Sequence, residues 1–256
     1  MDRDELRRRL EFYRDLGIKE IRVERPAPPS VQAETRAAAG AKPSAPLRPI
    51  AAPIQITPSL LPMGPDNDSL VRIQEDIGDC KRCRLCTGRN RIVFGSGNPQ
   101  ARLVFVGEGP GADEDAQGLP FVGRAGQLLT QMIDGTAARE GMAIRRDGVY
   151  ICNVVKCRPP GNRTPLPDEM EICGQFLFRQ LTVIQPKAIV CLGATAAKAL
   201  LGTKEGITRI RGNWHAWRGI QVMPTYHPSY LLRPYNQNAK REAWEDLKKV
   251  LHYVYD

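Results

Sequence analysis

The 256-residue sequence has no run of about 18 or more apolar residues, which is the minimum that a membrane-spanning helix needs. Its first fifteen residues (MDRDELRRRLEFYRD) are rich in charge, unlike the basic stub and apolar stretch of a cleaved secretion signal. We therefore expect neither membrane insertion nor secretion. A cytoplasmic location is the expectation that remains.

An even set of cysteines, as in a disulfide framework, is also missing. The chain has seven cysteines, and it is long enough to bury a core without covalent staples. We interpret this as a sign of a reducing compartment and a metal site. Cys152 and Cys191 fall inside apolar strand patterns, where a small buried residue is the simplest interpretation.

The spacing of the other cysteines favours a metal centre. Cys80 and Cys83 form a C-x-x-C pair, and Cys157 and Cys173 lie 16 positions apart. Two cysteines from one turn and two from distant elements can enclose a tetrahedral zinc or a four-iron cluster, and spacing does not separate these metals. Cys86 adds a third thiol to the first group, so the local choice of ligands stays open.

Acidic residues are outnumbered in this chain. The sequence has 37 Lys and Arg against 28 Asp and Glu, for a net charge of +9. Most of the surplus belongs to residues 67–256 rather than to residues 1–66. A basic surplus on the part predicted to fold indicates a polyanionic partner such as a nucleic acid.

Composition divides the chain into three parts. Residues 2–20 carry apolar side chains at helical spacing, which predicts a short charged helix. Ten of the 21 prolines fall between residues 26 and 65, with many alanines and no periodic pattern, as in a disordered linker. The predicted units are a short helical segment at 1–25, a Pro/Ala-rich linker at 26–66 and a folded domain at 67–256.

Short β-branched runs alternate with helical patterns in that domain. The predicted strands are 103–106, 149–155, 188–192 and 221–224. The predicted helices are 124–133, 167–184, 194–201 and 240–255. This alternation predicts an α/β fold with three layers, α/β/α, around a central four-stranded, mostly parallel sheet.

Three distinctive segments follow predicted strands: GEGPGADED, NVVKCRPPGNR and TYHPSYLLR. Ligands of parallel sheets bind beyond the carboxyl ends of the strands, so these segments are candidates for a site. The first has the outline of a dinucleotide-binding turn, but Pro110 interrupts it and Asp113, Glu114 and Asp115 would face a pyrophosphate. It fits better as a loop that holds a water-activating carboxylate, Glu108, beside glycines that let a ligand approach.

From about Ser69 to the C-terminus, the chain closely resembles the family 4 uracil-DNA glycosylases, the iron-sulfur branch of that repair superfamily. The matching stretches are VGEGPGADED, PFVGRAGQLL, YICNVVKCRPPGNRTP, EICGQFL, IVCLGATAAKALL, IRGNW and TYHPSYLLR. The resemblance implies the uracil-DNA glycosylase fold and a role in base excision repair. It also implies a structural [4Fe-4S] cluster, whose ligands would be Cys80, Cys83, Cys157 and Cys173.

The resemblance further implies roles for residues in a base pocket. Glu108 matches the residue that orients or deprotonates the attacking water, and His227 the residue that donates to uracil O2. Phe121 would stack on the flipped base. Asn153 would accept from uracil N3–H and donate to O4, a pattern that cytosine inverts. The remaining uracil-binding residues would be Gly107, Gly109 and Glu114, the last of them near uracil C5.

Residues after His227 would touch DNA. Leu231 is placed like the apolar wedge that fills the space of the extruded base, with core packing as the alternative. Ser229 and Arg233 are suited to phosphate contacts. A basic edge beside the pocket is expected from Lys156, Arg158 and Arg163.

The resemblance thus predicts a monofunctional, monomeric uracil-DNA glycosylase that acts on single-stranded and duplex DNA and leaves an abasic site. No pocket lysine is indicated for a lyase step, and RPPGNRTP lacks the histidine with which one branch of the superfamily traps DNA. Two alternatives stay open: a glycosylase for another deaminated base such as hypoxanthine, and a non-catalytic iron-sulfur DNA-binding module. The role of the N-terminal helix also stays open: the helix and linker are either a spacer or a helix that docks on a protein partner of unknown identity.

Overall fold

The computed structural model describes Arg7, Pro65 and residues 67–256. Apart from Arg7 and Pro65, the predicted N-terminal helix and linker lie outside the described residues. Within residues 67–256, the predicted α/β fold is confirmed.

The described residues form one mixed sheet of six strands. In chain order these are β1 (Ser96–Gly97), β2 (Leu103–Gly107), β3 (Tyr150–Asn153), β4 (Ala188–Leu192), β5 (His215–Trp217) and β6 (Ile220–Thr225). Across the sheet the order is β1-β3-β2-β4-β6-β5, with four parallel inner strands and an antiparallel strand at each edge. The predicted strands are the inner four. The predicted strand count is wrong because the edge strands, two and three residues long, are too short to give a pattern.

Strands β2, β3 and β4 are buried along their whole length. Successive side chains of a strand point to opposite faces, so Leu103 and Phe105 join one hydrophobic cluster while Val104 and Val106 join the other. Burial on both faces is the reason that these strands are continuous apolar runs in the sequence.

Helices cover both faces of the sheet. They are α1 (Leu70–Ile77), α2 (Ala112–Gln117), α3 (Arg124–Arg139), α4 (Pro167–Ile184), α5 (Ala194–Leu201), α6 (Ile207–Ile210), α7 (Pro228–Leu231) and α8 (Gln237–Tyr255). Apolar residues of α3 and α8 belong to one cluster, and those of α1, α4 and α5 to the other, which gives the predicted three layers. No helix in the described part of the chain is long and apolar enough to cross a membrane.

The carboxyl ends of the inner strands position the site. Gly107, the last residue of β2, is in register with Asn153 at the end of β3. Glu108 follows β2, Gly193 follows β4, and His227 lies two residues after β6. Because these strands are parallel, their ends meet at one edge of the sheet. That edge therefore gathers residues from four distant stretches of the chain.

Candidate active site

A cleft of about 590 Å³ opens at this edge, within the size range of small-molecule sites. Its lining includes seven residues that the sequence singled out: Glu108, Gly109, Glu114, Phe121, Asn153, His227 and Ser229. Gly107, Leu231 and Arg233 are not part of the lining. The structure thus brings together most of the predicted pocket but only one of the predicted DNA contacts, Ser229.

Asn153 lines the cleft with an unpaired acceptor. The residue is 1% exposed, and its Oδ1 has no hydrogen-bond partner among the described residues. A buried polar atom without a partner costs about 1–3 kcal/mol, so a ligand that donates a hydrogen bond here would recover that cost. A Cβ on Gly107 would lie 2.4 Å from this Oδ1 and 2.6 Å from the Phe121 ring. Glycine is therefore required where these two side chains converge.

Phe121 lies on a turn with a left-handed backbone. Its φ of 54° is unfavourable for a bulky residue and costs about 1–3 kcal/mol. The centroid of its ring lies 5.7 Å from that of His227, with 34° between the ring planes. Both rings line the cleft. The ring of Phe121 is thus one of two neighbouring aromatic rings in the lining, and it is held by a strained backbone.

The turn that contains His227 fixes the tautomer of its ring, and burial fixes its charge. The backbone N–H of Ser229 donates to His227 Nδ1 at 3.1 Å, and the Ser229 hydroxyl oxygen lies 2.8 Å from the same nitrogen. Burial lowers the pKa of His227 to about 4, although the Glu114 carboxylate pulls it in the opposite direction. A neutral ring whose Nδ1 accepts carries its proton on Nε2. His227 is therefore a neutral hydrogen-bond donor through Nε2 near pH 7.

Glu108 is held by a residue from another strand end. The Thr195 hydroxyl donates a short hydrogen bond to Glu108 Oε2. Thr195 lies in the first turn of α5, two residues after Gly193. Gly193 has a φ of 93°, and a Cβ there would lie 3.1 Å from His227 Cβ. The start of α5, from Gly193 to Thr195, thus lies against both Glu108 and His227.

Sequence reasoning missed Gly193 and Thr195. Both belong to GATAA, which follows β4 directly. Ligands of parallel sheets bind beyond the carboxyl ends of the strands, and GATAA stands at such an end, as the three other segments do. The signal was therefore present in the sequence.

Glu114 connects two loops of the cleft. Its Oε1 accepts hydrogen bonds from Val122 N (2.9 Å) and Gly123 N (3.0 Å), and its Oε2 accepts one from Gly111 N (3.1 Å). It is 9% exposed and lines the cleft. Its carboxylate therefore ties the loop after β2, at Gly111, to the segment that follows Phe121.

Two predicted DNA contacts are corrected by the structure. Leu231 is 1% exposed and belongs to the hydrophobic cluster on the α3 and α8 face, so it is a core residue and not an exposed wedge. Lys156 is also buried, and its ammonium donates to Asn153 O (2.9 Å) and Gln180 Oε1 (2.6 Å). It does not contribute to a basic edge. Arg163 lines the cleft and pairs with Glu169.

Four cysteines line a second, smaller cavity between α1, α4 and the end of β3. They are the four that the resemblance implied: Cys80, Cys83, Cys157 and Cys173. Cys86 does not line this cavity. Cys152 and Cys191 are buried in β3 and β4, where burial raises the pKa of both thiols. The structure therefore separates four grouped cysteines from two core residues.

The donors that line this cavity are four thiols, the ligand type of both structural zinc sites and four-iron clusters. Among the described residues, no group of three or more His, Cys, Asp or Glu is placed to hold one metal ion. Two N–H groups already point at the sulfurs: Arg89 Nη1 lies 3.5 Å from Cys157 Sγ, and Lys156 N lies 3.2 Å from Cys173 Sγ. Two such donors, one of them from the cationic Arg89, suit an anionic metal–thiolate centre.

Comparisons with known proteins agree with this geometry. A family model described as the uracil DNA glycosylase superfamily matches residues 94–248. A protein named type-4 uracil-DNA glycosylase from Thermotoga maritima is 50% identical over 184 residues, which cover 71% of this chain and 93% of the relative. Proteins of the same name from Sulfurisphaera tokodaii and Archaeoglobus fulgidus are 45% and 42% identical over 191 residues. These matches cover 72% of this chain, and 84% and 92% of the two relatives.

The chain therefore belongs to the uracil DNA glycosylase superfamily and, within it, to the type-4 uracil-DNA glycosylases.

Proposed function

We propose that the cleft binds a uracil turned out of DNA and that the protein hydrolyses the bond between this base and its sugar, leaving an abasic site for repair. Membership of the type-4 uracil-DNA glycosylases supports a monofunctional glycosylase of this kind. Among the structural observations, the unpaired Oδ1 of Asn153 beside the Phe121 ring carries the proposal most directly.

The base is recognised by its face and by one edge. A base must leave the DNA stack before it can enter such a pocket, and an aromatic ring such as Phe121 replaces part of the lost stacking. Uracil N3–H donates to Asn153 Oδ1, while the amide nitrogen donates to O4. Cytosine presents the opposite pattern, and each buried mismatch costs about 1–3 kcal/mol. The pocket therefore rejects the normal base.

Cleavage leaves negative charge on the departing uracil and positive charge on the sugar. His227 donates from Nε2 to uracil O2 as that charge grows, and a preorganised donor of this kind contributes about 3 kcal/mol. Glu108, with Oε2 fixed by Thr195, orients the attacking water. Its carboxylate also stabilises the positive sugar. Both groups act without a covalent intermediate.

Cys80, Cys83, Cys157 and Cys173 are the proposed ligands of a [4Fe-4S] cluster. When bound, the cluster supplies four iron–thiolate bonds that tie together separate segments of the chain, and hydrolysis needs no electron transfer. The neighbouring cation of Arg89, whose Nη1 lies 3.5 Å from Cys157 Sγ, offsets its negative charge. The cluster thus has a structural role.

Uracil-containing DNA, both single-stranded and duplex, is the proposed substrate. Ser229, at the cleft, and the exposed Arg233 after α7 are the proposed phosphate contacts. Residues 67–256 are the proposed catalytic unit, which acts as a monomer on the cytoplasmic nucleoid. Residues 1–66 receive no role.

A glycosylase assay tests this function. Purified protein is incubated with a labelled oligonucleotide that contains one uracil, and abasic sites are cleaved with alkali. We expect cleavage at the uracil and none at thymine or cytosine in the same position. An oligonucleotide with hypoxanthine separates uracil from other deaminated bases. Absence of cleavage above the buffer blank, with the metal centre intact, would overturn the enzymatic function.

A further inference from the structure

The two peptide groups on either side of Phe121 are held by opposite charges. The Arg146 guanidinium donates from Nη2 to the carbonyl of Pro120 at 2.8 Å. On the other side, the Glu114 carboxylate accepts from the N–H of Val122 at 2.9 Å. The turn that presents the Phe121 ring is therefore hydrogen-bonded to a cation through the carbonyl of Pro120 and to an anion through the N–H of Val122.

Arg146 is itself rigidly placed. Its Nη1 donates to Gly126 O (3.2 Å) and Thr130 Oγ1 (2.8 Å) in the first two turns of α3, and its backbone N–H donates to Asp134 Oδ1 (2.8 Å). The planar guanidinium can reach several acceptors at once because its N–H groups form a fixed fork. It therefore ties the Phe121 turn to the helix that follows it.

The backbone conformation of Phe121 requires such hydrogen bonds on both sides. A non-glycine residue with a φ of 54° persists only where the surroundings over-determine its backbone. The Phe121 carbonyl also packs directly against the backbone of Gly126, where any Cβ would collide with the Phe121 oxygen. A turn released from Arg146 can relax toward a lower-energy backbone, and the ring would then leave its place beside Asn153.

The electrostatics around Arg146 agree with this arrangement. Burial lowers the pKa of its guanidinium, while the carboxylates of Asp134 and Glu114 oppose that shift. Arg146 does not line the cleft. Any effect that it has on the base must therefore be indirect, through the Phe121 turn or through the start of α3, and the Phe121 ring distinguishes the two routes.

We infer that Arg146 is a positioning residue that, together with Glu114 on the opposite side, holds the Phe121 ring in place to stack on the flipped uracil. This inference rests on the proposed function, because it assumes that Phe121 stacks on the base. It assigns a role in catalysis to a side chain outside the cleft.

A double-mutant cycle between positions 146 and 121 tests the inference. The four proteins are wild type, R146M, F121A and R146M/F121A. Each is measured for inhibition by free uracil and for the single-turnover rate of uracil excision. We expect R146M to weaken free-uracil inhibition and slow excision by about tenfold, comparable to one lost hydrogen bond to a charged group. In the F121A background the same change should alter neither value by more than about twofold.

If R146M weakened free-uracil inhibition and slowed excision equally in the wild-type and F121A backgrounds, the inference would be overturned. An arginine with a purely structural role would have the same effect whether or not the Phe121 ring is present. A wild-type protein that does not excise uracil would instead overturn the proposed function. R145M is the matched control, since Arg145 is the exposed neighbour of Arg146 and should behave as wild type.

R146K covers the case in which R146M does not fold. It keeps the charge, but a single ammonium cannot replace the planar fork that spans Pro120 O and Thr130 Oγ1. We expect R146K to weaken free-uracil inhibition by about threefold when Phe121 is present and not in the F121A background. This loss is smaller than that of a whole hydrogen bond to a charged group. Inhibition equal to that of wild type would overturn the inference.

Discussion

The Thr195 hydroxyl donates to Glu108 Oε2 across the gap between two neighbouring strand ends. The two residues are 87 positions apart in the chain and meet because β2 and β4 are parallel partners. One carboxylate oxygen of the proposed water-orienting residue is thus fixed by a side chain that has no other proposed role in the reaction.

Thr195→Val should slow single-turnover excision by about tenfold or more, because a hydrogen bond to a charged group contributes about 1.5–3 kcal/mol. Thr195→Ser keeps the hydroxyl and should stay within about twofold of wild type. Free-uracil inhibition should not change in either variant. A valine variant as fast as wild type would contradict the positioning of Glu108 by Thr195.

Asn153→Asp should lower uracil excision by about 100-fold, since a carboxylate cannot donate to uracil O4 and brings negative charge to it. The ratio of uracil to cytosine excision should fall with it. The measurement is single-turnover excision from matched oligonucleotides, with thermal unfolding as the control for folding. An unchanged base preference would remove the role proposed for Asn153.

Cys157→Ser should abolish the broad visible absorption of the cluster and reduce iron and sulfide content, because it removes one of four ligands. Cys86→Ser is the matched control and should keep both, since Cys86 does not line the cavity. The proteins are prepared without oxygen and their metals are counted. Stoichiometric zinc in wild-type protein would contradict the cluster.

Leu231→Ala should lower the free energy of unfolding by about 2–5 kcal/mol, as expected for a truncated core leucine. Tyr230→Ala, on the exposed side of the same short helix, should cost less than about 1 kcal/mol. Denaturant unfolding measures both. A leucine variant of normal stability that fails only with DNA would restore the wedge role.

The His227 ring should titrate near pH 4 in the folded protein, well below its ordinary pKa of 6.5, because burial disfavours the charged ring. The unfolded chain therefore binds more protons between about pH 4 and 6.5, and the contribution of His227 to stability falls as the pH drops through this window. NMR titration of the imidazole signals checks this, with His227→Asn as the assignment control. His252 should titrate above 6.5, since Glu140 and Asp256 raise its pKa.

The sequence predicted the inner sheet because β2, β3 and β4 are buried on both faces and so carry unbroken apolar runs. The pocket residues were predictable because motifs at strand ends mark them. Leu231 was not, since a four-residue helix gives no periodic pattern from which burial can be inferred. The same limit applies to Lys156, whose burial depends on Gln180 in a distant helix.

Side-chain contacts between remote positions could not be predicted from the sequence either. Nothing in the residues around Arg146 indicates that its guanidinium reaches Pro120. Such contacts depend on the packing of α3 against the sheet, which only the folded chain supplies.

Two groups of residue 229 contact Nδ1 of His227, the backbone N–H, which donates to it, and the serine hydroxyl. Every amino acid except proline offers that N–H. A replacement of Ser229 by any residue other than proline therefore leaves one donor at Nδ1, and the proton of the neutral ring stays on Nε2. The backbone of the turn alone suffices to fix the tautomer of the proposed uracil donor.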